Sequence, residues 1–327
     1  MGTTREFLSV VVPVFNEEEN LPELCSRLKK VVEKLDFLRS EVLLISDGST
    51  DRSEAMIRST VNENALFKGF FLTRNFGHQP AVCIGLAQAQ GSIIAVIDGD
   101  LQDPPEAIPS LVEAIEQGAD VAYGVRTQRK ENVLKRLAYS VFYRLLERLS
   151  DIRIPLDAGD FSCMTRPVVD AMLSLPEHNR FVRGLRAWVG YRQIGVKYER
   201  AARFAGVPKY SLRKLIGLAY DGLFSFSSIP IRLIQILGFA ASGAALLVAF
   251  AYAVLFFVAR DRFPSGFATL AVSIWFLAGV QLFFLGVVGE YVARACDESR
   301  RRPVALVREI VVSGEGAVPS ESTAHDG

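Results

Sequence analysis

Two long stretches without a charged residue constrain this 327-residue chain more than any other feature. They run from Leu233 to Ala259 and from Phe263 to Gly289, and only three residues separate them. About 20 apolar residues in a row are enough for a helix to cross the hydrocarbon core of a membrane. We therefore predict a transmembrane hairpin in residues 233–292, with helices at about 233–259 and 265–290. The alternative is a pair of helices buried in a soluble core.

The basic residues beside these stretches predict the orientation of the hairpin. Cytoplasmic flanks of membrane helices carry an excess of lysine and arginine. The two outer flanks are basic, through Arg213, Lys214, Arg232, Arg294, Arg300, Arg301 and Arg302. We therefore expect a multi-pass protein of the plasma membrane with both termini in the cytoplasm. The N-terminus has no long apolar core before a cleavage site, so we do not expect a signal peptide.

Residues 1–210 alternate between apolar runs of strand length and helical patterns. The predicted strands are FLSVVVPVF, EVLLIS, KGFFLTR, SIIAVID and DVAYGV. Three stretches between these strands are predicted to be helical. Apolar residues recur at helical spacing from Leu21 to Leu35, and the other two stretches are Pro80 to Gln90 and PEAIPSLVEAIEQ. This alternation favours an α/β domain whose mostly parallel sheet is covered on both faces.

Loops rich in carboxylates follow three of the predicted strands: PVFNEEEN, SDGSTD and DGDLQD. Ligands of such sheets bind beyond the carboxyl ends of the strands, so we expect these loops to line one cleft. Asp98, Asp100 and Gln102 alternate in the third loop, and their oxygens suit a hard cation such as Mg²⁺ or Mn²⁺. The alternative is an ordinary solvated loop. Because the sequence has no GxGxxG or GxxxxGK[ST] motif, a metal and side chains would have to hold any phosphate there.

Five segments occur in the order typical of family-2 glycosyltransferases that act on polyprenyl phosphates. They are VVPVFNEEENLPEL, ISDGSTD, TRNFGHQPAVCIGLAQAQG, IDGDLQDPPE and LDAGDFSCM. The chain resembles the dolichol-phosphate mannose synthases and, more closely, the bacterial bactoprenol glucosyltransferases. The closer resemblance rests on NRFVRGLRAWVGY, on RAARFAGVPKYSLRKL and on the two predicted C-terminal spans, the second of which runs into GEY. It covers roughly residues 7–303 and implies a nucleotide-sugar-binding domain of the GT-A type.

The resemblance implies an inverting transfer of a hexose onto undecaprenyl or another polyprenyl phosphate, which gives a β-linked product. Glucose from UDP-glucose is the first expectation; the alternatives are GDP-mannose, UDP-galactose, a UDP-N-acetylhexosamine and UDP-formamido-arabinose. A more remote alternative is a nucleotide-sugar sensor without turnover. The implied partners are the nucleotide sugar, the lipid phosphate, the membrane and further copies of the chain in a tetramer. The net charge of +1 gives no support to a nucleic-acid partner.

The resemblance also assigns roles to individual residues. Asp100 and Gln102 are the expected metal ligands, and Asp98 and Asp100 are catalytic candidates beside the diphosphate. The expected substrate contacts are Pro13, Phe15, Asn16, Glu17, Asp47, Gly99, Arg126, Arg203 and Lys209. For Arg203 and Lys209 the alternative is ordinary positive charge beside the membrane, where it attracts anionic lipid.

The catalytic base is open between Asp157 and Asp160. The second pKa of a phosphate monoester lies near 6, so the acceptor is largely deprotonated at neutral pH without help from the protein. Positioning of the acceptor or a structural role in the LDAGDF turn is therefore the alternative for these aspartates.

Three positions depart from the family pattern: Ser46 replaces an aspartate, Phe15 a tyrosine and Pro208 a serine. Outside the sheet domain, residues 211–232 mix cations with apolar residues and predict a helix at the membrane surface, or else a simple connector. Residues 293–327 are expected to form a cytoplasmic tail, disordered from the polar stretch SGEGAVPSESTAHDG onwards.

Overall fold

The structure is a computed structural model that describes residues 5–126, 158–177, 180–199 and 266–319, with isolated positions between 236 and 254. The chain divides into two compact units. The sheet and the residues from Arg302 onwards belong to one unit, and the long helix before them belongs to the other.

The first half of the sheet unit confirms the predicted alternation of strands and helices. Its elements are β1 (Phe7–Val14), α1 (Leu21–Lys34), β2 (Arg39–Ser46), α2 (Ser53–Glu63), β3 (Phe67–Leu72), α3 (His78–Gln88), β4 (Ile93–Val96), a 3₁₀ turn (Pro105–Ala107), α4 (Ile108–Glu116) and β5 (Val121–Arg126). The five predicted strands correspond to β1–β5. The later elements are β6 (Ala158–Thr165), α5 (Arg166–Leu173), α6 (Val182–Trp188), β7 (Gln193–Tyr198), α7 (Phe267–Ser299), β8 (Val307–Val312) and β9 (Glu315–Pro319).

The strands form one nine-stranded sheet in the order β7-β5-β6-β4-β1-β2-β3-β8-β9. The central strands β4, β1, β2 and β3 pair in parallel, and β5 pairs in parallel with β7. β6 and β8 run against their neighbours. The mostly parallel sheet is thus confirmed, with one antiparallel strand inserted on each side of its centre.

Helices cover both faces of the central strands, which explains why these strands read as unbroken apolar runs. Val10 and Val12 lie in the core cluster that includes Leu24 and Leu28 of α1. On the opposite face α3 approaches β1 so closely that a Cβ at Gly85 would lie 2.2 Å from Cγ1 of Val11. Glycine at this position therefore permits the close packing of α3 on the sheet.

A hairpin that follows the long helix extends the sheet beyond β3. β8 pairs antiparallel with β3, and β9 pairs with β8. Arg58 of α2 pairs with both carboxylate oxygens of Glu309 and lies 4.1 Å above the ring of Phe71. The hairpin thereby covers the edge of β3, which would otherwise expose unpaired backbone groups.

The predicted disordered tail is wrong for residues 315–319, because they form β9. The predicted boundary of the sheet domain at residue 210 is incomplete for the same reason, since β8 and β9 belong to the same sheet. Residues 320–327 and the predicted surface helix 211–232 lie outside the described residues.

Among the described residues, one helix is long and apolar enough to cross a membrane. α7 has 33 residues, which makes it about 50 Å long at 1.5 Å per residue. Its apolar part is Phe276–Ala293, and large apolar side chains there are exposed, with Phe276 at 70 % and Leu282 at 69 %. Such a surface suits lipid. The first predicted span lies almost wholly outside the described residues, so the hairpin stays a prediction.

We predict that Arg58→Ala loosens the terminal hairpin, because it removes the pair with Glu309 and the contact with Phe71. A partly exposed ion pair contributes up to about 1 kcal/mol, which corresponds to about fivefold faster amide exchange. Hydrogen–deuterium exchange of β8 amides measures this effect. Lys29→Ala, which removes an exposed pair with Glu33 on α1, is the control and should leave β8 unchanged. Unchanged β8 exchange in Arg58→Ala would contradict the prediction.

Candidate active site

The loops after the four central strands each contain a residue with a left-handed backbone. These residues are Asn16 (φ 53°), Gly48 (φ 65°), Gly77 (φ 108°) and Leu101 (φ 57°). Gly48 also lies so close to the loop after β3 that a Cβ there would be 2.6 Å from the carbonyl carbon of Arg74. Asn16 and Leu101 adopt a conformation that is unfavourable for most side chains. Such strain concentrates at functional loops, which makes this edge of the sheet the first candidate for the site.

Hydrogen bonds fasten the loop after β1 to the loop after β2. The backbone N–H of Thr50 donates to Oδ1 of Asn16 at 2.8 Å. The backbone N–H of Glu17 donates to Oγ of Ser53 at 2.9 Å, and that of Glu18 to Asp51 at 3.1 Å. The polar residues of PVFNEEEN and SDGSTD therefore hold each other in place, and the cleft that they were expected to line stays a prediction.

Asp47 fastens the loop after β2 to the loop after β3. Its two carboxylate oxygens accept the backbone N–H groups of Phe76 at 2.7 Å and Gly77 at 2.9 Å. Asp47 is only 3 % exposed. Burial raises its pKa, while the two N–H groups and the charge of His78 oppose that rise. The structure thus gives Asp47 a role in shaping the loops, and its contact with a nucleoside stays a prediction.

Ser46, the departure before Asp47, faces a carboxylate from α2. Its hydroxyl donates to Oε1 of Glu54 at 3.3 Å, and Arg308 of β8 pairs with the other oxygen of Glu54 at 2.7 Å. A serine can donate to this carboxylate, whereas an aspartate would repel it. Glu54 therefore gives a physical reason for the serine at this position.

The DGDLQD loop lies against the loop after β1. A Cβ at Gly99 would be 3.1 Å from the carbonyl oxygen of Pro13 and 3.6 Å from Cγ of Glu17. Tyr198 of β7 donates a hydrogen bond to Asp103, which anchors the far end of the loop. Pro13, Glu17 and Gly99, which were predicted to share one site, are thus neighbours.

The oxygens of this loop fit a hard divalent cation in part. Oδ1 of Asp98 is buried and accepts no hydrogen bond from a described residue, and burial raises the pKa of Asp98 to about 6. Asp100 and Gln102 are half-buried, and Oδ1 of Asp100 accepts the backbone N–H of Gln102 at 3.1 Å. The described residues contain no cluster of three or more histidine, cysteine or carboxylate ligands. Two ligands from the protein still suit Mg²⁺, which keeps several waters and shares itself with phosphates.

Asp160 of β6 is the centre of a buried charged cluster. Arg183 of α6 donates from Nε to Oδ1 at 2.8 Å and from Nη2 to Oδ2 at 3.1 Å. His78 Nε2 and Gln79 Nε2 each lie 3.1 Å from Oδ2. His78 Nε2 is also 3.5 Å from Oδ1 of Asp98. The cluster therefore joins the start of α3 to β4, β6 and α6.

The charged groups of the cluster shift the pKa values of Asp160 and His78 in opposite directions. Burial raises the pKa of Asp160, but the charge of Arg183 and the hydrogen bonds from His78 and Arg183 outweigh burial and hold that pKa well below its usual range. Burial lowers the pKa of His78, but the hydrogen bond with Asp160 and the charge of Asp98 raise it to about 9. At neutral pH Asp160 is therefore ionised and His78 is protonated.

The remaining predicted residues are located only in part. Phe15 is 37 % exposed at the end of β1. Arg126 ends β5, but its side chain lies outside the description, as do Asp157, Arg203 and Lys209. The sequence analysis assigned no role to His78, Gln79 or Arg183. Their only signal was membership of the segments TRNFGHQPAVCIGLAQAQG and NRFVRGLRAWVGY, which carried the family resemblance.

The chain is similar to known glycosyltransferases over most of its length. The family model described as glycosyl transferase family 2 matches residues 9–173. The glycosyltransferase YkcC of Bacillus subtilis is 43% identical, over 92% of this chain and 93% of that protein. The prophage bactoprenol glucosyl transferase homolog of Escherichia coli is 38% identical, over 93% of this chain and 99% of that protein. Glucosyl-3-phosphoglycerate synthase of Mycobacterium tuberculosis aligns at 21% identity with a TM-score of 0.46, over 67% of this chain and 78% of that one.

The chain belongs to glycosyl transferase family 2, and it is a glycosyltransferase. The loops after β1, β2 and β4 lie within the matched residues, as does Asp160. Arg183 lies beyond the family match, although it completes the cluster around Asp160.

We predict that Asp47→Asn loosens the loop after β3. One oxygen of the carboxylate becomes an NH₂ group, which cannot accept the N–H of Phe76 or Gly77. A hydrogen bond to a charged acceptor contributes about 1.5–3 kcal/mol, so exchange of the amide that loses its acceptor, Phe76 or Gly77, should be at least about tenfold faster. Hydrogen–deuterium exchange followed by NMR checks this. Asp51→Asn is the matched control and should speed exchange at Glu18 or Ser53 instead. Equal protection of both Phe76 and Gly77 in all three proteins would refute the role of Asp47.

Proposed function

We propose that this glycosyltransferase transfers a hexose from a nucleoside-diphosphate sugar to a polyprenyl phosphate, with glucose from UDP-glucose and undecaprenyl phosphate as the expected pair. The observation that carries the proposal is the nearly full-length similarity to proteins named bactoprenol glucosyl transferases, which extends over both uncharged stretches. The strained, fastened loops at one edge of the sheet supply a site of the expected kind.

The nucleotide sugar is proposed to bind along the loops after β1, β2 and β4. Pro13, Phe15, Glu17 and Asp47 are the proposed contacts of its nucleoside, Asn16 is a further proposed substrate contact, and Gly99 is the proposed neighbour of its diphosphate. Asp100 and Gln102 would hold Mg²⁺ or Mn²⁺, whose chemical contribution is to offset negative charge on the departing diphosphate. Arg203 and Lys209 remain proposed contacts of the diphosphate, where positive charge stabilises the leaving group, and Arg126 remains a proposed substrate contact.

The proposed reaction is a single displacement. An oxygen of the lipid phosphate attacks C1 of the sugar, the bond from C1 to the diphosphate breaks, and the nucleoside diphosphate leaves. The configuration at C1 is inverted, which gives a β-linked lipid-phosphate sugar from an α-linked donor. No proton needs to be removed from an acceptor that is already ionised, because its second pKa lies near 6. Asp160, with four donors on its two oxygens, is proposed to position other groups rather than to act as a base.

A lipid acceptor requires the site to work at a membrane. The proposed arrangement has an interfacial segment at 211–232, spans at about 233–259 and 265–290, and the site and both termini in the cytoplasm. The exposed apolar surface of α7 supports the second span. A tetramer is part of the proposal on family resemblance alone.

A panel of donors tests the proposed function. The full-length protein in detergent is incubated with undecaprenyl phosphate, Mg²⁺ or Mn²⁺, and labelled UDP-glucose, UDP-galactose, UDP-N-acetylglucosamine or GDP-mannose. We expect label from UDP-glucose to enter the organic phase. Transfer from another donor would change the sugar only. Tight binding of UDP without transfer from any donor would favour a nucleotide-sugar sensor and overturn the proposal.

Removal of the proposed metal ligands tests the DGDLQD loop. We expect Asp100→Ala and Gln102→Ala to lower transfer at least about tenfold at limiting Mn²⁺, with partial recovery at high Mn²⁺. EDTA should abolish transfer by the unmodified protein. Asp170→Ala, on the exposed side of α5, is the control and should match the unmodified protein. Full activity in both loop variants at every Mn²⁺ concentration would exclude the assignment.

A further inference from the structure

His78 connects the buried charged cluster to the open edge of the sheet. It is the first residue of α3 and its side chain is 36% exposed, whereas that of Asp160 is 2% exposed. Both neighbouring carboxylates, Asp160 at 3.1 Å and Asp98 at 3.5 Å, face the same ring nitrogen, Nε2. No described residue makes a hydrogen bond to Nδ1. The ring therefore has one nitrogen committed to the protein and one available on its exposed side.

The partners of His78 fix the orientation of its ring. Asp160 cannot rotate freely, because Arg183 holds both of its oxygens and Gln79 holds Oδ2. Gln79 is itself held, since its Oε1 accepts the backbone N–H of Val182 at 2.8 Å. Three of the four donors lie on Oδ2 and one on Oδ1, and the side chain is only 2% exposed, so a substrate has little access to this carboxylate. Asp160 thus serves its neighbours rather than the acceptor.

We propose that His78 donates a hydrogen bond from Nδ1 to a phosphate group of a substrate, and that Asp160 is the positioning residue that orients it. This inference rests on the proposed function for the identity of the substrates. The phosphate belongs either to the nucleotide sugar or to the lipid, since both carry one to this edge of the sheet.

The surroundings of His78 favour a phosphate as its ligand. Asp98 begins the DGDLQD loop, so His78 lies beside the proposed diphosphate position. Three cations, His78, Arg183 and Arg186, surround the carboxylate of Asp160. Arg186 is 1% exposed, and its Nε and Nη2 have no hydrogen-bond partner among the described residues. His78 is the most exposed of these three cations, so a phosphate at its Nδ1 would pair with a charge that ligands can reach.

Two substitutions of His78 distinguish the role of Nε2 from the role of Nδ1. His78→Gln places an NH₂ group near the position of Nε2 and keeps a donor to Asp160, but it has nothing at Nδ1. His78→Asn places an NH₂ group near Nδ1 and loses the contact with Asp160. A residue with only a structural role would be rescued by glutamine, whereas the proposed phosphate ligand would not be.

Binding and turnover are measured separately on the full-length protein in detergent. UDP and undecaprenyl phosphate are each titrated against the protein, and KM and kcat are then measured with UDP-glucose. We expect His78→Gln to weaken binding of one of the two ligands about tenfold with an unchanged melting temperature. Weaker binding of the lipid phosphate assigns His78 to the acceptor, and weaker binding of UDP assigns it to the donor. The proposal is overturned if His78→Gln binds both ligands within twofold of the unmodified protein. It is also overturned if His78→Gln weakens binding of a ligand and His78→Asn binds that ligand no better than His78→Gln does.

The positioning role of Asp160 has its own readout. Asp160→Asn should weaken binding of the same ligand as His78→Gln does. The double variant should bind that ligand no more weakly than the weaker-binding single variant. If Asp160→Asn lowers kcat while both ligand affinities stay unchanged, the positioning role is overturned and Asp160 is again the candidate for the catalytic base. If the unmodified protein binds both ligands but transfers no sugar, the proposed function fails while the binding comparison still decides the role of His78.

Discussion

The buried carboxylate of Asp160 is the interaction on which the rest of the site depends. Removing such a group from water costs several kcal/mol unless partners compensate. Its partners come from two helices: His78 and Gln79 from α3, and Arg183 from α6. Since Asp160 itself lies on β6, loss of a partner would leave its charge less satisfied and would weaken the attachment of the helix that supplies that partner. The requirement to satisfy one charge therefore fixes the relative positions of three elements around the site.

The loops at the same edge are held by hydrogen bonds in which side-chain oxygens of one loop accept backbone N–H groups of another. Asp47 receives two N–H groups of the next loop, and Asn16 receives one from the loop after β2. Each bond replaces one that water would otherwise supply, so the loops keep their shape before a substrate arrives. Preorganised loops are what a transferase needs, because positioning provides much of its rate enhancement.

The sequence allowed prediction of β1–β5, because strands buried on both faces appear as unbroken apolar runs. It did not reveal β6, β7 or the terminal hairpin. β9 contains glycine and proline and is stabilised by pairing with β8, which no local pattern reports. The same limit applies to the site. The spacing of Asp98, Asp100 and Gln102 within one loop made them candidates, and their role stays a prediction, whereas the pair of Asp160 and Arg183 spans 23 positions and depends on how α6 packs.

Two carboxylates that face one imidazole have opposite pKa shifts, and this difference indicates their roles. Burial raises the pKa of Asp98 to about 6, with an oxygen that no described residue satisfies. The pKa of Asp160 is lowered, against the effect of burial, by Arg183 and His78. Asp160 is thus the permanent counter-ion of the cluster, and Asp98 is the carboxylate whose charge still requires a partner. A ligand with positive charge near Asp98 and negative charge near His78 would give each group an oppositely charged partner. The proposed metal-bound diphosphate has this distribution of charge, and because His78 Nε2 lies 3.5 Å from Oδ1 of Asp98, one such ligand could reach both groups.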